Sequence, residues 1–186
     1  MIESIISNNC TGGAVLHELG AEFKTPTINL QILPEEYPKF CQNFRKYMEE
    51  DLKEYKDISE EHKTYLYKMF GGVPDMPFGI IGDVMVCFQH YGTFEEAKQK
   101  WDERKAKIDY DHIGFIFHAR GPEYRNEAEE FMKLDIPNKL VLAQDFDIDG
   151  AANFAGEAFS AINGKVLITQ IYDWRKYVKN QDECSI

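Results

Sequence analysis

Six short apolar runs recur along this chain, at Ser4–Ser7, Thr27–Leu33, Phe78–Phe88, His112–His118, Lys139–Ala143 and Lys165–Ile171. Most are separated by stretches whose apolar residues fall at helical spacing. This alternation constrains the fold more than any other feature, because each strand is followed by a segment able to cover a sheet face. It predicts an α/β fold, layered α/β/α with a mostly parallel sheet. A length of 186 residues suits a single domain over 1–186.

Local signals set the expected boundaries. Ala14 to Leu19 has helical spacing, and Gly20 follows as a stop. Thr27 to Leu33 alternates apolar and polar residues, as a half-buried strand does, and Pro34 ends it. From Glu35 to Tyr55 one apolar stripe runs through Tyr37, Phe40, Phe44, Tyr47 and Met48, which predicts one helix. Residues 56–77 are charged and then rich in Gly and Pro, so they read as a surface insertion or lid. Phe78 to Phe88 reads as a strand interrupted by Asp83. Thr93 and Glu96 have capping-box spacing ahead of a helix that runs to about Lys107. Pro122 opens another helix.

Composition narrows the function classes. The net charge is -11. Such a surface repels phosphate backbones and anionic membranes, so nucleic acid is not expected as a partner. No apolar run approaches membrane-spanning length, so no membrane insertion is expected. The four cysteines form no CxxC pair and no zinc pattern, and Cys41 and Cys87 lie among apolar residues as buried thiols. A cytoplasmic location fits unpaired thiols and the lack of a signal-peptide pattern. Aromatic residues make up 13% of the chain, a content that serves a core or a ring-stacking site equally well.

Two post-strand turns carry the site candidates. In open parallel sheets, ligands bind beyond the carboxyl ends of strands. Ser7, Asn8, Asn9, Cys10, Gly12 and Gly13 follow the first strand and lead into a helix. Glycine there permits close approach, and free N–H groups at a helix start suit an anion. A tight structural turn with Asn capping is the plain alternative. Cys10 is a candidate nucleophile, with His90 as its base if the two turns meet. Asp83 is a candidate base or ligand, because a carboxylate inside an apolar strand needs a partner. Tyr91, Trp101 and Arg104 are candidates for lining a sugar or phosphate pocket, although Trp101 also continues a core stripe. Asp145 to Gly150 opens like a calcium loop but has Gly156 where that loop requires Glu. No metal ligand set is assigned, and the acidic loop leaves room only for a looser divalent-cation site.

These segments also carry a resemblance. They are Ile5 to Cys10 with Gly12-Gly13, Phe23 to Leu30, Gly82-Asp83, His90-Tyr91, Phe94 to Lys98 and Lys100 to Lys105. In order and spacing they resemble the bacterial domain-of-unknown-function family nineteen-nineteen, over about Ile5 to Lys179. Members are often described as exopolysaccharide biosynthesis proteins, among capsule genes and sometimes beside glycosyltransferases. The resemblance implies a saccharide or nucleotide-sugar ligand. Two functions follow as expectations. One is a transferase or modifying enzyme acting on a sugar during surface-polymer assembly. The other is a non-catalytic partner of a glycosyltransferase. Arg120 to Tyr124 follows the family pattern less closely, and Arg120 receives no role.

Overall fold

The computed structural model describes residues 1–162 and 165–179. In chain order the first half holds β1 (Ser4–Ser7), α1 (Thr11–Glu18), β2 (Gln31–Ile32), α2 (Tyr37–Gln42), α3 (Phe44–Glu49), β3 (Lys53–Glu54) and α4 (Glu60–Phe70). Next come β4 (Phe78–Ile81), β5 (Val84–Cys87), α5 (Phe94–Lys105), β6 (Ile113–Ala119) and α6 (Arg125–Lys133). The chain continues with β7 (Lys139–Gln144), β8 (Ala152–Phe154), β9 (Ala161–Ile162), β10 (Lys165–Val166) and α7 (Trp174–Lys179).

The expected parallel sheet is present, in the order β1-β6-β7-β8 with every neighbouring pair parallel. Side chains alternate across a strand, so both faces of this sheet are covered. Ile6, Phe115, Phe117 and Val141 enter one core, together with α2 and α6. Ile5, Ile116 and Leu142 enter another, where Val15 and Leu16 of α1 and Trp174 of α7 meet them. Helices on both faces give the layered arrangement.

A second sheet was not foreseen. It is antiparallel, in the order β2-β5-β4-β3. The run from Phe78 to Phe88 is a hairpin rather than one strand. Ile81 pairs with Val84, and Gly82 takes the left-handed conformation (φ 59°) that a two-residue turn requires. Asp83 is therefore a turn residue, not a carboxylate inside a strand.

Two other elements are shorter than expected. The helix over 35–55 breaks at Asn43, which leaves helical geometry (φ -111°, ψ 24°) and whose side-chain Nδ2 shares the Lys39 carbonyl (3.1 Å) with its own backbone N–H. In the 27–33 run only Gln31 and Ile32 pair, after a left-handed Asn29 (φ 59°). The Lys165–Ile171 run pairs only at Lys165–Val166 and then forms a 3-10 turn.

The 56–77 segment contains α4, capped by Ser59 at its start and by a left-handed Gly71 at its end. His62 and Leu66 are buried. The Thr93 cap forms as the spacing predicts, accepting from the Glu96 N–H (3.2 Å). Aromatic residues mostly build the core, where Tyr37, Phe117 and Phe131 stack with ring centroids 5.6–5.7 Å apart. Among the described residues no helix is long and apolar enough to cross a membrane.

Candidate functional site

The turn after β1 is held by its own side chains. Asn8 extends the β1–β6 ladder with an amide in place of a peptide. Its Oδ1 accepts the His118 N–H (2.9 Å), and its Nδ2 donates to the His118 carbonyl (3.1 Å). Its backbone carbonyl accepts the Ile32 N–H of β2 (2.8 Å). Ser7 Oγ donates to the Asn9 carbonyl (2.6 Å) and accepts the Gly12 N–H (3.0 Å). A Cβ at Gly12 would lie 2.7 Å from Ser7 Oγ, so this glycine serves close packing of α1 on β1. Ser7, Asn8 and Gly12 are thus buried structural groups.

Asn9 turns the other way. Its Oδ1 accepts the Thr11 N–H (3.0 Å), which leaves Nδ2 facing His118 Nδ1 at 3.1 Å. The Thr11 hydroxyl stands 3.2 Å from the same nitrogen. On the far side of the ring, His118 Nε2 is 3.0 Å from Gln144 Oε1, and Gln144 Nε2 donates to the Gly156 carbonyl (2.9 Å). This chain of amides assigns the proton to Nε2 and makes Nδ1 an acceptor. Burial holds the imidazole at a pKa of about 4, below its ordinary 6.5, and Arg120 also disfavours the cation, against the Gln144 bond. His118 is therefore neutral near pH 7.

Above this network lies a cavity of about 800 Å3. Asn9, Cys10 and Gly13 from the turn after β1 meet Gln89 and His90 from the turn after β5. The two loops face one crevice although β1 and β5 are not neighbours in one sheet, so the meeting comes from how the two sheets pack and not from adjacent parallel strands. Arg104 reaches the cavity from α5 and Arg120 from the end of β6. Each guanidinium lies over a phenylalanine, Arg104 over Phe23 (5.8 Å) and Arg120 over Phe159 (5.6 Å). Arg104 Nη1 also donates to the Tyr91 hydroxyl (2.7 Å), which donates in turn to the Ile28 carbonyl (3.0 Å). Among the described residues neither arginine is in an ion pair. His17 and Glu18 also line the cavity, so its fixed charges are two guanidinium groups and one carboxylate among the described residues. In an acidic chain this is a local excess of positive charge, able to attract and orient an anion.

Other sequence candidates fall outside this arrangement. Asp83 lies at the opposite end of β5 from His90, largely exposed, where it accepts from the Tyr47 hydroxyl (2.7 Å) and Lys39 Nζ (2.9 Å). These partners hold its carboxyl below the usual range and give it a surface structural role. Trp101 is 1% exposed and packs edge-on against Phe88, so it has no face for a ligand. Tyr91 supports Arg104 from behind the lining. The Cys10 thiol faces Gln89 Oε1 at 4.0 Å, and burial raises its pKa despite nearby Arg120. It is a neutral thiol, not an activated nucleophile. Among the described residues no three metal-ligating side chains cluster. In the acidic loop, Asp145 Oδ1 accepts the Gly156 N–H (2.8 Å), a structural contact. Cys41 and Cys87 are buried free thiols, and Cys184 lies outside the described residues.

Sequence reasoning missed His17, Gln89, His118, Arg120, Gln144 and Phe159. Arg120 had a signal, because it follows the carboxyl end of β6 just as Asn8 follows that of β1. Phe159 had none, because its place depends on how the chain returns after β8.

The comparisons agree with the resemblance carried by these segments. An uncharacterised protein of Haemophilus influenzae (strain ATCC 51907 / DSM 11121 / KW20 / Rd) is 27% identical over 188 residues, covering 95% of this chain and 82% of the relative. The family described as "Domain of unknown function (DUF1919)" matches residues 2–183. With nearly its whole length matched, the chain belongs to that family.

Proposed function

We propose that the large cavity binds a phosphorylated saccharide of the nucleotide-sugar class, and that the protein transfers or modifies that sugar during exopolysaccharide or capsule assembly. What carries this reading is the pair of arginines, each over a phenylalanine ring, facing one cavity beyond the carboxyl ends of β1 and β6. A guanidinium beside an aromatic ring still has several N–H donors to offer phosphate oxygens, and two such groups on one cavity favour a two-pronged grip over a single contact. The Asn9–Gly13 turn adds polar groups near the same point. His90 lines the cavity and is the candidate proton acceptor for a sugar hydroxyl.

A glycosyltransferase partner is the weaker reading. Docking takes about 800 Å2 of surface on each side. The large apolar side chains exposed in the 56–77 segment are Tyr67 and Val73, among the described residues.

Thermal-shift measurements with UDP, GDP and their common sugar conjugates test the proposal. At least one compound should raise Tm, and Arg104→Gln and Arg120→Gln should each abolish the rise. A protein whose Tm ignores every compound overturns it.

A further inference from the structure

A second cavity, of about 190 Å3, shares two lining residues with the first, Gln31 and Arg120. Those side chains form a common wall. Pro34, Lys68, Met69, Glu123 and Tyr124 complete the smaller space. Its charge differs from that of the larger one. Lys68 is ion-paired with Glu35 (2.8 Å) and lies over the Tyr124 ring (4.4 Å), while Arg120 shares the cavity with the Glu123 carboxylate. Positive and negative groups balance here, so the lining suits a neutral ligand that both donates and accepts hydrogen bonds.

Gln31 supplies the second observation. It is 3% exposed, and its Nε2 donates to the Ile32 carbonyl (2.7 Å). That bond fixes the amide's orientation and leaves Oε1 without a donor among the described residues. That amide oxygen is not among the sealed-off polar atoms of the described residues, so a hydroxyl entering the cavity can reach it and donate to it.

We propose that the smaller cavity is a saccharide subsite contiguous with the anion site, and that Gln31 reads a hydroxyl of the sugar ring held there. The identity of the neighbouring anion rests on the nucleotide-sugar reading; the subsite itself does not. A neutral monosaccharide matches the lining group by group. Its hydroxyls donate to Gln31 Oε1 and Glu123, and accept from Lys68 and Arg120. Its C–H face meets Pro34 and Met69.

The full chain is titrated with glucose, galactose and N-acetylglucosamine, followed by calorimetry and saturation-transfer NMR, alone and with saturating UDP. At least one sugar should bind, and UDP should not displace it. Gln31→Leu should weaken that sugar about tenfold, the worth of one hydrogen bond. Exposed Glu123→Ala should weaken it by a similar factor while leaving UDP affinity unchanged; it carries the test if Gln31→Leu fails to fold. The subsite is overturned if no sugar binds, if UDP displaces the sugar, or if a folded variant leaves sugar affinity intact. Failure of the sugar arm with UDP still bound spares the larger-cavity reading. Sugar binding without any nucleotide binding overturns that reading and supports the subsite.

Discussion

His118 is the residue on which the site's floor depends, because its ring joins the turn after β1 to the end of β7. Its pKa is about 4 when folded and 6.5 when free, so the unfolded chain takes up a proton more readily. The sign follows from linkage. The histidine's contribution is complete above pH 6.5 and is lost as pH falls toward 4, by about 3 kcal/mol at that end. Urea midpoints measured between pH 7 and pH 4 should fall more steeply in the native protein than in His118→Gln. Parallel curves would remove the neutral-imidazole assignment. The Asn8–Gly13 turn was legible because turn chemistry is written in adjacent residues. His118 and Arg120 were not, because they join the site only through the pairing of β6 with β1, between segments more than a hundred residues apart. Asp83 reads as an interruption in one strand because a two-residue Gly-Asp turn leaves apolar runs directly on either side.

Among the elements, α4 shows how a polar segment is tied down. Glu36 is buried, with Oε2 accepting the Met85 N–H (2.9 Å) and Oε1 3.0 Å from His62 Nε2. The Glu36 carboxylate raises the His62 pKa to about 9 against the cost of burial, and the Tyr55 hydroxyl assists. A raised histidine pKa gives stability that is full below pH 6.5 and lost as pH rises through about 9. Amide exchange in α4, corrected for its intrinsic pH dependence, should therefore lose protection between pH 7 and pH 10, and His62→Gln should flatten that change. The segment's charge and its Gly-Pro end were legible, but the helix was overlooked although Ser59 and Gly71 stand where caps belong. The break at Asn43 was hidden because the apolar stripe continues through it. The break is seen in the backbone of Asn43 (φ -111°, ψ 24°), with its side chain bonded to the Lys39 carbonyl.

At the scale of the molecule, strand and helix alternation revealed the parallel sheet but not the antiparallel one. The short strands β2 and β3 have two residues each, too few for a periodicity to register. The sheets nevertheless share a core, in which Ile6 of β1 lies with Ile32 of β2 and Val86 of β5. The cavity takes walls from loops of both, so an occupant touches two sheets at once. Asn8 already does this without a ligand, since its amide is spent on β6 and its carbonyl on β2. One asparagine thus acts as a rivet through both halves, and shearing it should loosen them together. In Asn8→Ala, the amides of Ile32 and His118 should exchange faster by a common factor, with a stability loss of about 1–3 kcal/mol for the stranded groups of β6. Were only the His118 amide to quicken, the bond from the Ile32 N–H to the Asn8 carbonyl would hold independently of the amide bonds to β6. Any molecule that fills the crevice would then add a fastener of its own beside that bond.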